Sequence, residues 1–277
     1  MSSKMVSYDK RLAQAVRCFW RGRSAAAEKQ LQAGRRDQGN RGAVTGGKNL
    51  DSFRDMIFDV VRRHGPRDCV VHSRKSLVVL PGFFRPTKQW DILIACGNRL
   101  LASMELKSLC GPSFGKNANN RCEEAIGSGC DFRKAQSEGL FGRGASPFLG
   151  YFLLIEDAEA SRAPVGVKSP HFPTDPVFQS SSYQTRMKIL CERLVEQQLY
   201  SCAAVLVAVN SATSGASKDL SLHTSFRFLL AKLAGHLASE AGHPEGSTGR
   251  IKEEPYGPED GSLLSGEWFS SSEPADA

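Results

Sequence analysis

Residues 90–107 read WDILIACGNRLLASMELK, two apolar runs separated by Gly97-Asn98-Arg99. Glycine and asparagine between runs rich in Ile and Leu signal a hairpin, so the stretch predicts two antiparallel strands. Side chains alternate along a strand, which sends Glu105 and Lys107 to the same face. If Gly97, Asn98 and Arg99 form a three-residue loop, Cys96 pairs with Leu100, and carrying that register back sets Asp91 opposite Glu105. Directly opposed residues share a face with Cβ atoms about 5 Å apart. Two carboxylates and an ammonium therefore converge on one patch of sheet.

That grouping suits phosphodiester hydrolysis. Carboxylates are hard oxygen ligands for Mg²⁺, an ion that keeps several waters and also contacts substrate phosphate. Such an ion lowers the pKa of a water and stabilises charge building at phosphorus, while Lys107 can orient or help deprotonate the attacking water. The plainer alternative is a solvated strand face. Against it, Asp91 and Glu105 are flanked by ILIA and LLASM, which would leave acids at the edge of a core unless a cation compensates.

Outward from the hairpin, LDSFRDMIFDVVRRHG at residues 50–65 carries Phe53, Ile57, Val60 and Val61 at helical spacing, with Asn49 or Asp51 as N-cap and Gly65 as the stop. A further helix over residues 6–32 has Leu12, Val16, Phe19 and Trp20 on one side. CVVH and SLVVL add two strands, and with the hairpin they predict an antiparallel meander. A helix follows near residues 117–130, then PFLGYFLLIED, whose length and bulk suit a buried central strand. Pro164, Pro170, Pro173 and Pro176 fall in a long loop. SYQTRMKILCERLVEQQLY reads as an amphipathic helix, CAAVLVAVN as another buried strand, and SFRFLLAKLAGHLASEA as a last helix. Helices before and after a mixed sheet make the chain an α/β protein. Residues 1–241 are expected to form a single domain, with 1–40 as an N-terminal helical extension and 242–277 as a disordered acidic tail.

The 277-residue chain has a net charge of +7, distributed unevenly: residues 1–50 hold 11 Lys or Arg against 3 acids, and residues 239–277 hold 2 against 9. A basic body suits a polyanionic partner, because each neutralised phosphate releases counterions. The 8 cysteines are scattered, mostly within apolar segments, which argues against a disulfide framework. No run approaches the roughly 18 apolar residues of a membrane span, and MSSKMVSYDKRLAQAV lacks a signal-peptide pattern. A cytoplasmic protein without membrane association is expected.

PGFFRPTKQWDILI at 81–94 and MELKSLCGPSFGKNANNRCEEAIGSGCD at 104–131 closely resemble the corresponding region of XhoI-type restriction endonucleases, members of the PD-(D/E)xK nuclease superfamily. The resemblance extends from GAVTGGKNLD at 42–51 through LGYFLLIED to the helix near 185–198. Trp90 stands where the superfamily has a proline beside its first acid; Pro81 is too far upstream to fill that role. The resemblance implies a restriction-endonuclease-like core, a mixed β-sheet flanked by helices. It makes Asp91, Glu105 and Lys107 the catalytic residues and Asp91, Glu105 and the Leu106 carbonyl the Mg²⁺ ligands. The implied activity is that of a type II site-specific deoxyribonuclease cutting the palindrome CTCGAG in double-stranded DNA and leaving 5′-phosphates. A palindrome is matched most simply by a homodimer. With no DPPY or NPPY motif in the chain, the protecting DNA methyltransferase would be a separate polypeptide, and no ATP would be needed. The rival readings are a repair or phage-type nuclease of the same superfamily and a DNA-binding module without catalysis.

GAVTGGKN nearly spells a P-loop, but Asn49 lacks the hydroxyl that ligates Mg²⁺ and no hydrophobic strand precedes it, so Lys48 is read as a DNA-phosphate contact. In the helix near 117–130, Cys122, Ala125, Ile126 and Gly129 make a small apolar face, leaving Asn117, Asn120 and Arg121 as candidate DNA contacts and Glu124 as an outer metal-site candidate. Arg85 and Lys88, interleaved with Phe83, Phe84 and Trp90, are further DNA-binding candidates. His64, Cys69 and His72 lack a fourth ligand for zinc. His171 and His223 are read as structural, since a metal-activated water needs no histidine base.

Overall fold

The computed structural model describes residues 3–32, 47–142, 146–242 and 252–253. Its centre is a seven-stranded sheet built from β1 (Cys69–His72), β4 (Ile92–Cys96), β5 (Arg99–Leu109), β6 (Phe148–Glu156), β7 (Cys202–Ala208), β8 (Ser217–Asp219) and β9 (Lys252–Glu253). The order is β8-β7-β6-β5-β4-β1-β9, with β5, β6 and β7 parallel to one another and β4 and β8 antiparallel at their sides. Every residue of β6 from Phe148 to Ile155 is buried, as a central parallel strand covered on both faces requires. This is the mixed-sheet α/β core anticipated for a restriction-endonuclease-like fold.

Helices cover both faces. On one side α1 (Ser3–Gln32), α2 (Asp51–His64) and α6 (Phe226–Ala241) bring Val16, Phe19, Trp20, Phe53, Ile57, Phe226 and Leu233 against Ile92, Ile94, Met104, Phe152 and Leu206. On the other, α3 (Phe114–Ser137) and α5 (Tyr183–Glu196) bring Phe114, Ala125, Phe132, Met187 and Leu194 against Leu149, Tyr151, Leu153, Ile155 and Val205. The strict alternation along β6, Phe152 and Leu154 one way and Tyr151 and Leu153 the other, follows from the two-residue period of a strand. Among the described residues, no helix is long and apolar enough to cross a membrane.

Several expectations need correction. The antiparallel meander does not form: β2 (Val79–Pro81), taken from SLVVL, pairs with β3 (Thr87–Gln89) in a separate hairpin, and β1 pairs directly with β4. The loop between β4 and β5 has two residues, Gly97 and Asn98, since Cys96 pairs with Arg99 and Ala95 with Leu100. Gly97 takes φ +58°, the left-handed conformation a tight turn asks of its first position. A bulge then restores the expected alignment, for Ile94 pairs with Ala102 and Ile92 with Met104. The main-chain carbonyl of Leu101, displaced by the bulge, accepts a hydrogen bond from His236 Nε2 at 2.9 Å.

Helix α2 starts without a side-chain cap. Leu50 is its N-cap, and Asp51 sits instead in the first turn, paired with Arg54, where a negative charge meets the positive end of the helix. Gly65 ends it as expected, its N–H donating to Val61 O at 2.7 Å. Helix α3 runs well past residues 117–130 in both directions, because Phe114 and Phe132 anchor it beyond that window. Those anchors also rotate its buried face: Ala118, Ala125, Ser128 and Gly129 face inward, whereas Ile126 is 46% exposed. Gly129 passes so near Tyr200 that a Cβ would stand 2.8 Å from the ring. The proline-rich loop holds a one-turn helix, α4 (Glu159–Arg162), and a 3-10 turn at Pro176–Phe178. Of the acidic tail, only Gly242, Lys252 and Glu253 are described, the last two pairing in parallel with β1.

Candidate active site

The alternation that buries Met104 and Leu106 on the α1, α2 and α6 side turns Ser103, Glu105 and Lys107 toward α3. Glu105 is 3% exposed. Its Oε1 accepts hydrogen bonds from Lys107 Nζ at 2.8 Å and Lys88 Nζ at 3.1 Å, while its Oε2 is buried without a hydrogen-bond partner. Asp91 lies one residue beyond the last ladder pair, Ile92 with Met104, and so comes level with Glu105. Its N–H donates to Met104 O at 3.1 Å, and its Oδ2 accepts from Leu106 N–H at 2.7 Å. The hairpin thus brings the three expected residues to one place, through a two-residue turn and a bulge in place of a three-residue loop.

The electrostatics separate the two acids. Burial acts to raise the Glu105 carboxyl, but Lys107 and Lys88 together outweigh it and hold that group below the usual carboxylate range. Burial dominates at Asp91 and pushes its carboxyl up, against the opposing pull of Lys107 and the Leu106 N–H. Burial also works to lower the Lys107 ammonium, yet Glu105 and Asp91 more than offset it and keep the lysine above its ordinary value. Lys107 is therefore a cation in this site.

A cavity of about 430 Å³ opens over Glu105 and Lys107, lined also by Arg85, Lys88, Glu123, Glu124, Gly127 and Ser128, with Asp91 outside its lining. Lys88, a candidate for reaching DNA from the surface, is turned inward: its side chain is 12% exposed, with Nζ 4.4 Å from the Trp90 ring centroid as well as on Glu105. Arg85 is half-exposed at the rim, and its Nε donates to Asp131 Oδ2 at 2.9 Å. Glu124 lines the cavity but is paired with Arg121, whose own side chain is largely covered. Asn117 and Asn120 are half-buried on α3 and do not line the cavity. The Lys48 side chain lies outside the described residues. His64, Cys69 and His72 are not brought together: among the described residues no three His, Cys, Asp or Glu side chains gather as a metal cluster. A divalent ion at Asp91 and Glu105 would thus need the main-chain carbonyl or water to complete its shell.

Sequence reading missed Asp131. It is 2% exposed and accepts hydrogen bonds from the Phe83 and Phe84 N–H groups, both at 2.8 Å, and from Arg85. The signal was present in α3, where Asp131 falls between Ser128 and Ala135 on the buried stripe set by Phe114 and Phe132. The inward role of Lys88 had no such signal, because it depends on how the β2–β3 hairpin folds back over β5.

Residues 29–218 match the family described as restriction endonuclease XhoI. Over 196 residues, 70% of this chain and 78% of the relative, the sequence is 44% identical to the type II restriction enzyme XhoI of Xanthomonas vasicola. It is 42% identical to the type II restriction enzyme AbrI of Azospirillum brasilense over 172 residues, covering 62% and 77% of the two chains. With the type II restriction enzyme BstVI of Geobacillus stearothermophilus it shares 39% identity over 216 residues, 76% of this chain and 96% of the relative. No solved structure matches the chain. On the matched residues and these identities, the chain belongs to the XhoI-type restriction endonucleases of the PD-(D/E)xK superfamily.

Proposed function

We propose that this chain is a Mg²⁺-dependent type II restriction endonuclease that hydrolyses double-stranded DNA at the palindrome CTCGAG and leaves 5′-phosphates. Family membership supports type II restriction endonuclease activity on double-stranded DNA. The observation that carries the chemistry is the buried, unpartnered Oε2 of Glu105 beside Asp91 and Lys107. A buried carboxylate oxygen without a hydrogen-bond partner is costly, and a hard divalent cation is a ligand that such an oxygen fits. Asp91, Glu105 and the Leu106 carbonyl would hold Mg²⁺, which when bound supplies Lewis acidity toward phosphate and a more acidic water.

The protein's own residues do the positioning. The Leu106 N–H fixes the Asp91 carboxylate, and the bulged hairpin sets it level with Glu105. Lys107 orients the attacking water and offsets charge on the phosphate oxygens as the in-line displacement proceeds. Attack at phosphorus breaks the bond to the 3′ oxygen, leaving a 3′-hydroxyl and a 5′-phosphate. Lys88 keeps Glu105 ionised from the hairpin side and adds a second positive charge at the cavity. Arg85, at the cavity rim, and Arg121, Asn117, Asn120 and Lys48 remain the DNA-binding candidates. Residues 1–241 are proposed as a single domain that pairs with a second copy to present one active site to each strand. The protein is further proposed to act in the cytoplasm without ATP, with a separate methyltransferase protecting host DNA.

Incubating the chain with plasmid DNA and Mg²⁺, with and without EDTA, and sequencing the ends tests this reading. Discrete metal-dependent fragments ending within CTCGAG are expected. Progressive degradation would favour a repair or phage-type nuclease, and shifted but uncut DNA would favour a binding module. Sedimentation equilibrium should return the mass of two chains.

A further inference from the structure

The five residues Gly82-Phe83-Phe84-Arg85-Pro86 connect β2 to β3, and an isolated hairpin tip of this kind would ordinarily be mobile. Here it is pinned. The Gly82 N–H donates to Pro86 O at 3.2 Å, and the buried Asp131 carboxylate receives the next two main-chain N–H groups and the Arg85 guanidinium. Gly82 is needed at this contact, since a Cβ there would stand 2.6 Å from Arg85 O and 2.7 Å from Asp131 Oδ2. What this anchoring holds in place is apolar and exposed. Phe83 is 44% and Phe84 72% exposed, their rings 4.9 Å apart and edge to face. A buried acid is thus committed to fixing two aromatic rings in solvent, an arrangement that adds nothing to the core.

The surroundings identify the occupant. Arg85, next to Phe84, lines the cavity over Glu105 and Lys107, so the tip is continuous with the candidate active site. Lys134, which also pairs with Glu138, has its Nζ 4.9 Å from the Phe83 ring centroid, and the half-exposed Arg85 follows Phe84 directly, so a cation stands on each side of the aromatic pair. An exposed aromatic between cations matches a base step between phosphates, which stacking side chains and inserted apolar wedges exploit. We infer that Phe84 is a DNA wedge, held rigid by Asp131, that stacks on or enters a base step beside the scissile phosphate and helps set site preference. The inference rests on the proposed nuclease function.

Duplexes containing CTCGAG, with 2-aminopurine substituted at one position at a time, provide the test, with Ca²⁺ replacing Mg²⁺ to withhold cleavage. The wild-type chain should raise fluorescence at one step. Phe84→Ala should abolish the rise and weaken duplex binding by about tenfold to a hundredfold, the range expected for loss of one stacked aromatic, while Phe84→Trp should retain both. Phe84 is exposed, so an unchanged melting temperature should show that each variant is folded. If the wild-type chain cuts DNA but no position responds, or if Phe84→Ala keeps the fluorescence rise, the wedge is refuted while the nuclease function stands. If Phe84→Ala instead halves the sedimenting mass with the rise intact, the tip is a contact between copies and the wedge is again refuted. Failure of the wild-type chain to cut plasmid or bind duplex removes the function and the wedge together.

Discussion

The two faces of β5 differ although they share one backbone. Ala102 and Met104 are fully buried and Leu106 is 7% exposed, packed with the aromatic side chains of α1, α2 and α6. One residue out of step, Ser103, Glu105 and Lys107 face α3, where Ser103 Oγ and Glu105 Oε2 are buried without partners. The first face stabilises the fold, and the second holds buried polar atoms that core packing does not require. Substitutions on the two faces should therefore separate stability from activity.

The sharpest separation should come from Asp91→Asn, which can still accept the Leu106 N–H. Cleavage is expected to fall by about a thousandfold or more. The Asp91 carboxyl is pushed up by burial, so its ionised form opposes folding, and stability tied to the neutral form is lost as pH rises through the folded value. Removing the charge should leave the melting temperature at pH 7 unchanged or higher. A large drop in melting temperature would break the distinction between the two faces.

On the opposite face, Met104→Ala should cost about 2–5 kcal/mol in urea unfolding, with any loss of activity following the folded fraction. Asp131→Ala tests whether a buried acid outside β5 is structural. It strands two main-chain N–H groups, and about 1–3 kcal/mol of stability should be lost. Burial works to raise Asp131, but the Phe84 and Phe83 N–H groups and Arg85 hold it below its ordinary value of 3.8. Its contribution is present above that value and lost as pH falls through the depressed one, so urea midpoints of wild type and variant should converge in acid. The smallest effect is expected for Lys88→Ala, about a tenfold loss of cleavage from one charge-assisted hydrogen bond to Glu105. Lys107→Ala, which removes the nearer of the two lysines, should lose more; an equal loss would show the two cations to be interchangeable.

Most of the architecture was legible in local pattern. The helices, the buried strands β6 and β7 and the hairpin that carries Asp91, Glu105 and Lys107 each announce themselves through periodicity and turn residues. What pattern left open was pairing. SLVVL is as strand-like as CVVH, yet it leaves the main sheet, because strand order depends on contacts between distant segments. The α3 boundaries moved for a related reason: glycines at 115, 127 and 129 argue against a long helix locally, and packing against Tyr183 and Tyr200 overrides them.

Sequence by itself determined which face of β5 is charged, since a two-residue period leaves Glu105 and Lys107 no other arrangement relative to each other. It also determined the family, through contiguous residues around the acids. Only the tertiary structure decided that a bulge, and not the turn, aligns Asp91 with Glu105, that Lys88 completes the charge on Glu105 from a separate hairpin, and that Asp131 fixes an exposed aromatic tip beside the cavity. Those contacts join residues 17 and 46–48 positions apart, and such pairings follow from how packed elements meet, a property no local periodicity encodes.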